Sequence, residues 1–263
     1  MDLGINGRIA LITGADSGIG FSTADQLLAE GVQVVITDKN QSSLDEAARK
    51  LGHGVRAFAA DLTDPAAVAL LKRRVLGEVG VPQILVNAAG VTGATGMFHE
   101  IDEQGWIGTL NTDLMSPVRL VRAFIDEMRG SGWGRIVLLA SEDAVQPYVD
   151  ELPYCAAKAG VLSLAKGLSK TYAREGVLVN AVSPAFIATP MTDAMMAKRA
   201  MENGTSFDDA VKSFLDEERP FMELKRREKA EEVAAVVVFL CSERASFVNG
   251  SNYRVDLGSV ATI

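Results

Sequence analysis

Short apolar runs alternate with amphipathic stretches along almost the whole chain. "RIALIT" (8–13), "VQVVIT" (32–37), "VRAFAA" (55–60), "QILVN" (83–87), "RIVLLA" (135–140) and "VLVNAVS" (177–183) read as strands, with a last one at "NYRVD" (252–256). Runs this continuously apolar suit strands covered on both faces. Between them apolar positions recur at helical spacing, which predicts helices over about Ile19 to Glu30, Ser42 to Leu51, Pro65 to Val79, Asn111 to Arg129, Tyr154 to Arg174 and Ala230 to Cys241. Strand and helix lengths of this kind imply right-handed βαβ units, hence an α/β fold with one open parallel sheet.

One region breaks the rhythm. From Ala185 to about Arg227 the chain is rich in Met, Asp, Glu, Lys and Arg, with helical pieces such as "DDAVKSFLDEE". An insertion of that length is uncommon inside a compact domain unless it serves a function, so a substrate lid with short helices is expected at 185–227. The plainer reading is a solvated surface excursion. Met191, Met195, Met196 and Met201 fit either an adaptable apolar cover or ordinary helix packing.

Composition narrows the picture mainly by exclusion. A chain of 263 residues is long enough for two small domains or one large one, and no linker or repeat divides it. The net charge of −8 is the wrong sign for a nucleic-acid partner, which requires a basic face. The longest apolar run, Val233 to Cys241, falls well short of the roughly 20 residues that span a bilayer. "MDLGINGR" lacks the regions of a signal peptide, so a cytoplasmic protein without a membrane partner is expected. Cys155 and Cys241 match no metal or redox spacing and read as reduced core residues; with only His53 and His99 present, no metal site is expected.

"TGADSGIG" (13–20) stands where the first strand meets the first helix. Glycines there let backbone approach a diphosphate while the helix N-terminus offers free N–H groups. The spacing of Gly14, Gly18 and Gly20 departs from the general GxGxxG fingerprint. Asp38 lies at the end of the second strand, where an acid can take both hydroxyls of an adenosine ribose and repel a 2′-phosphate; alternatively it caps the turn. Asp16 adds a second negative charge and Lys39 is the only nearby base, so NAD(H) is expected over NADP(H).

Taken together, "TGADSGIG", Asp61-Leu62, "NAAG" (87–90), Asn111, Ser141 and "YCAAK" (154–158) resemble the short-chain dehydrogenase/reductase family in order and spacing. The resemblance covers Arg8 to Asp256 and implies a single-domain Rossmann fold over 1–263, with a doubly wound seven-stranded parallel sheet, helices on both faces, a nicotinamide cofactor and frequent homotetramers. It implies that Gly14, Asp16, Ser17, Gly18, Ile19 and Gly20 hold the diphosphate, with Asp38 and Lys39 at the ribose. Asp61 and Leu62 would flank the adenine, Asn87, Ala88 and Gly90 would line the cleft, and Pro184, Ile187 and Thr189 would stand beside the carboxamide. Two residues depart from the family pattern: Ala185 stands where glycine is usual, and Leu257 interrupts a common "VDGG".

The same resemblance makes Tyr154, Lys158, Ser141 and Asn111 the catalytic set. Four residues apart on a helix, Tyr154 and Lys158 project from one face. A free tyrosine titrates near 10, so working near neutral pH needs a shift of roughly 3 units, or about 4 kcal/mol, part of which a nearby ammonium can supply. On this reading Tyr154 is the general acid/base, Lys158 lowers its pKa and holds the nicotinamide ribose, Ser141 holds the substrate oxygen, and Asn111 links Lys158 through water to a proton relay. Without a GxSxG elbow, a serine hydrolase does not fit. Glu142 and Asp143, where small residues are usual, either attract a cationic or polyhydroxylated substrate or face solvent, and Met191 is a further candidate for that pocket. The expected activity is hydride transfer between NAD(H) and a small secondary alcohol or ketone; a 3-oxoacyl-carrier-protein reductase docking through "LKRREK" (224–229) and a non-catalytic NADH sensor or scaffold are the alternatives. Small residues at Ala156, Ala157, Ala159 and Gly160 would permit close helix packing in a homotetramer.

Overall fold

The apolar runs assemble into one sheet in this computed structural model, which describes residues 2–262. In chain order the elements are β1 (Ile9–Thr13), α1 (Gly18–Ala29), β2 (Gln33–Thr37), α2 (Gln41–Leu51), β3 (Val55–Ala57), α3 (Pro65–Glu78), β4 (Ile84–Asn87), α4 (Glu103–Leu110) and α5 (Ser116–Gly130). There follow β5 (Gly134–Leu139), α6 (Leu152–Tyr172), β6 (Val177–Pro184), α7 (Pro190–Asn203), α8 (Phe207–Glu217), α9 (Ala230–Leu240) and β7 (Asn252–Val255). The seven strands are parallel in the order β3-β2-β1-β4-β5-β6-β7. This is the open parallel sheet the alternation predicts, in the seven-stranded doubly wound Rossmann arrangement the family resemblance implies.

Both faces of the sheet are covered, and this explains the unbroken apolar runs. Along β1 successive side chains point to opposite faces. Ile12 joins a core with Leu27 of α1, Leu44 of α2 and Val233 and Val237 of α9. Leu11 joins the other, with Leu71 of α3, Leu120 and Phe124 of α5 and Val161 and Ala165 of α6. The strand order reverses between β1 and β4, whose register pairs Thr13 with Asn87 at their C-terminal ends. That switch point opens the crevice in which ligands of such sheets bind.

The helix expected from Asn111 begins earlier, at Glu103, where Asp102 caps it by accepting from the Gly105 N–H at 2.8 Å. Gly105 and Gly108 give this first part poor intrinsic helicity, which hides it in the sequence. Between α4 and α5 the residues Asn111–Met115 form a π-helical turn, a deviation that often marks a functional position.

The insertion is helical, with α7 and α8 meeting over a small core of their own: Phe186, Met196, Phe214, Leu215 and Met222. The four methionines therefore split, Met196 fully buried and Met195 packed beside it, Met191 and Met201 exposed. Three of the four bases in the basic run form ion pairs, Arg226 with Glu232, Arg227 with Asp193 and Lys225 with Asp216. Ala185 needs no left-handed backbone, whereas Leu257 has φ of 50° and adopts one. Both cysteines are buried and free, and Ala156 and Ala159 face outward from α6 while Ala157 packs inward. Among the described residues no helix is long and apolar enough to cross a membrane.

Candidate active site

The turn from β1 into α1 is shaped by what glycine lacks. A Cβ on Gly14, at φ of 63°, would lie 2.6 Å from the Ala89 nitrogen, and one on Gly20 would lie 2.2 Å from the Gly14 oxygen. Backbone thus folds on backbone, against the strand end that carries "NAAG". Ser17 is extended at the N-cap of α1 but does not cap it; its hydroxyl donates instead to Asp16 Oδ1 at 3.1 Å. The first N–H groups of α1, including that of Ile19, keep their capacity for an anion, so the turn fits a dinucleotide diphosphate. Gly18 faces Thr189, whose Cγ2 would stand 3.2 Å from an added Cβ. The segment from Pro184 through Ile187 to Thr189 therefore returns to the same crevice, with Pro184 and Ile187 buried.

Asp38 ends β2 half-buried, with Oδ1 accepting from the Lys39 N–H at 2.6 Å. Burial first, and the Asp16 carboxylate second, raise its pKa above the ordinary value. The two acids are near enough to feel each other, although Asp16 turns its second oxygen to the Ser43 hydroxyl at 2.8 Å. Asp61 is fixed by the Thr63 hydroxyl and N–H, which lower its pKa, and Leu62 is buried beside it. Asn87 accepts at Oδ1 from the Thr13 hydroxyl at 3.3 Å, and the same hydroxyl accepts from the Ala89 N–H, tying β1 and β4 together below Ala88 and Gly90.

At the other end of the crevice α6 presents Tyr154 and Lys158, with Lys158 Nζ 5.3 Å from the Tyr154 ring centre. Lys158 is buried and donates to the Leu139 carbonyl at 3.1 Å. Ser141 follows β5 and accepts from the Asp143 N–H at 3.3 Å. The expected lowering of the Tyr154 pKa does not emerge from the folded chain alone. Burial raises it well above the phenol value, the Asp143 and Asp113 charges add to this, and hydrogen bonding with Ser141 opposes it.

Asn111 makes its direct hydrogen bonds elsewhere than to Lys158. Its Oδ1 accepts from Arg119 Nη2 at 2.5 Å and its backbone carbonyl from the Ser116 hydroxyl at 3.2 Å. Two residues further along the π turn, Asp113 stands directly beside Lys158, 3.7 Å from its Nζ. The only warning in the sequence is an acid amid apolar helix positions in "NTDLM".

Glu142 and Asp143 are both buried, so the solvent-facing reading of them falls away. Arg219, just after α8, reaches across and donates from Nε to Glu142 Oε1 at 2.6 Å, its guanidinium stacked 4.0 Å from the Tyr148 ring centre. Asp143 shares a hydrogen bond with Glu151. Burial, then Glu151 and Glu142, raise the Asp143 pKa to about 8. Arg219, Tyr148 and Glu151 were missed because nothing local in "DEERP" or "YVDEL" separates them from surface charge. Met191 is exposed at the start of α7 and makes no part of this cluster.

A family model described as "Enoyl-(Acyl carrier protein) reductase" matches residues 14–259. The chain belongs to the short-chain dehydrogenase/reductase family. Within that family it is 31% identical to the 3-oxoacyl-[acyl-carrier-protein] reductase FabG of Salmonella typhimurium, over 97% of this chain and 98% of the relative. It is 34% identical to the cis-4-hydroxycyclohexanecarboxylate dehydrogenase of Sinomonas cyclohexanicum, over 97% of both chains. Among solved structures of short-chain dehydrogenase/reductases, L-sorbose reductase from Gluconobacter frateurii, complexed with NADPH and L-sorbose, matches with a TM-score of 0.94 at 35% identity, covering both chains fully. The chain is thus an oxidoreductase of ketones and alcohols that uses a nicotinamide cofactor.

Proposed function

We propose that the protein is an NAD(H)-dependent reductase of small polyhydroxylated ketones, working also as the reverse alcohol dehydrogenase. The observation that carries the reading is the meeting of Ser141, just past β5, with Tyr154 and Lys158 of α6: Tyr154 shares a hydrogen bond with Ser141, and Lys158 Nζ lies 5.3 Å from the Tyr154 ring centre and is tied to the end of β5. The nicotinamide supplies or accepts the hydride; the protein orients it and manages the proton. Ser141 holds the substrate oxygen. Tyr154, kept protonated by burial, gives its proton to that oxygen as the carbonyl is reduced and takes it back in oxidation. On this reading Lys158, which donates to the Leu139 carbonyl, also binds a ribose hydroxyl of the nucleotide.

The nucleotide assignment rests on Asp38 with Asp16 behind it. A 2′-phosphate would meet two carboxylates, with Lys39 the one adjacent cation. The substrate class rests on the Glu142, Asp143, Glu151 and Arg219 cluster. Buried carboxyls suit hydroxyl groups, which can both donate and accept, and disfavour an anionic or long apolar substrate. The similarity to L-sorbose reductase is in keeping with a polyol or ketose. A carrier-protein substrate is less well served, since three of the four bases in the basic run are held in ion pairs. The insertion, bridged to the site by Arg219, acts as the lid, and the outward Ala156 and Ala159 suit a homotetramer.

Steady-state rates with NADH and NADPH on a ketose and simple ketone panel test this. NADH preference and turnover of polyhydroxylated ketones are expected; NADPH preference overturns the nucleotide assignment, and a preference for acyl thioesters overturns the substrate class. Tyr154→Phe should keep NADH binding and lose on the order of 100- to 10,000-fold in kcat.

A further inference from the structure

Asp113 is a buried carboxylate that neither the glycine turn nor the substrate cluster uses. The π turn aims it at the "NAAG" segment, where Oδ1 accepts from the Val91 N–H at 3.1 Å and faces Lys158 Nζ at 3.7 Å. Oδ2 is buried without a partner. The fit is close enough that a Cβ on Gly90 would stand 2.7 Å from Asp113 Oδ1 and 3.3 Å from Lys158 Nζ. Gly90 thus makes room for an ion pair, and Lys158 is held between that carboxylate and the Leu139 carbonyl.

We propose that Asp113 is a positioning residue that holds and neutralises Lys158, so that the proton affinity of Tyr154 is set by a Lys158–Asp113 pair and not by a free ammonium. The proposal rests on Tyr154 as the acid/base, assigned above. The charged and titratable groups facing the Tyr154 and Asp113 pair are Lys158 on the same helix, Asp143 after β5 and Glu151 before α6, with Ser141 as the neutral partner. Arg119 of α5 is spent on Asn111. Lowering of the Tyr154 pKa by Lys158 is offset at its source, in keeping with the raised phenol described above.

Asparagine has the shape of aspartate and accepts the same N–H donors, but carries no charge. In Asp113→Asn protein the rise of alcohol-oxidation kcat/KM with pH, which follows phenolate formation, should move by about one unit or more toward acid, the size expected for losing one nearby unscreened charge. The same displacement should appear without turnover, as Tyr154 ionisation read from the ultraviolet difference between each protein and its Tyr154→Phe counterpart. Asp113→Ser, which removes the charge and leaves room for water, is the second variant should the first not fold, and must shift in the same direction. An unmoved limb, with or without lower kcat, or a shift toward alkaline pH, overturns the proposal. Full activity in Tyr154→Phe overturns instead the assignment of Tyr154 on which it rests.

Discussion

The glycine turn and the loop after β5 both sit at the C-terminal edge of the sheet, yet one is built from backbone and the other from buried charge. In the turn, Gly14 and Gly20 bring main chain to within van der Waals limits and leave N–H groups exposed to a ligand. After β5, Glu142, Asp143 and Arg219 are desolvated and depend on one another across 77 residues of chain. The difference predicts two kinds of fragility. Main-chain geometry fails when volume is added, and a charge cluster fails when one member is taken away.

Arg219→Ala gives the largest expected effect, because it leaves Glu142 buried without its cation. Losing one partner of a buried pair costs about 3–5 kcal/mol, and the exposed edge of Arg219 places this case at the lower end. Denaturant unfolding should show the loss, and ketone KM should rise while NADH affinity holds. The double variant Arg219→Met with Glu142→Gln should recover much of the stability, since removing both charges removes the unpaired one. Stability unchanged in Arg219→Ala would break the comparison at its charged side.

Gly20→Ala tests the other side. Its Cβ meets backbone, which cannot rotate away as a side chain can, and overpacking costs about 1–3 kcal/mol. Spent on the turn itself, that corresponds to a loss of up to the order of 100-fold in NADH affinity, read by fluorescence titration. Wild-type affinity would show that the turn tolerates added volume, and the contrast would collapse.

The contrast also governs how much was legible in the sequence. Strand and helix periodicity is a local signal, so the sheet, its strands and the glycine turn could be read from short windows. Asp38 was readable because its place at a strand end follows from that same periodicity. Asp113 and Arg219 were not, because their significance lies in partners distant along the chain: Lys158 for one, Glu142 for the other. Two glycines concealed α4, and with its start the π turn that puts Asp113 beside Lys158.

Asp38→Asn sharpens the backbone side by separating charge from geometry at the residue on which the proposed nucleotide choice rests. The amide keeps hydrogen-bonding capacity for a ribose and ceases to repel a 2′-phosphate. The ratio of NADH to NADPH kcat/KM should fall by roughly tenfold, about 1.4 kcal/mol, with Asp16 retaining part of the discrimination. A ratio that does not move would shift the selectivity to Asp16 and its Ser43 contact.

The smallest effect extends the charge principle into the insertion. Glu228 is buried where its backbone bridges Phe186 and Ala188, and burial, followed by the Glu232 charge, raises its pKa to about 8 from 4.5. The folded chain therefore binds this proton more tightly than the unfolded chain does. Its stabilising contribution is complete below the unfolded value and is lost as pH rises through about 8, so stability should decline across that window. Glu228→Gln removes the titration. The variant should match wild type near pH 5 and melt higher near pH 9, by about 2–4 °C for each kcal/mol recovered in a chain of this size. Parallel melting profiles across the window would mean that Glu228 finds enough solvent or partners to ionise freely.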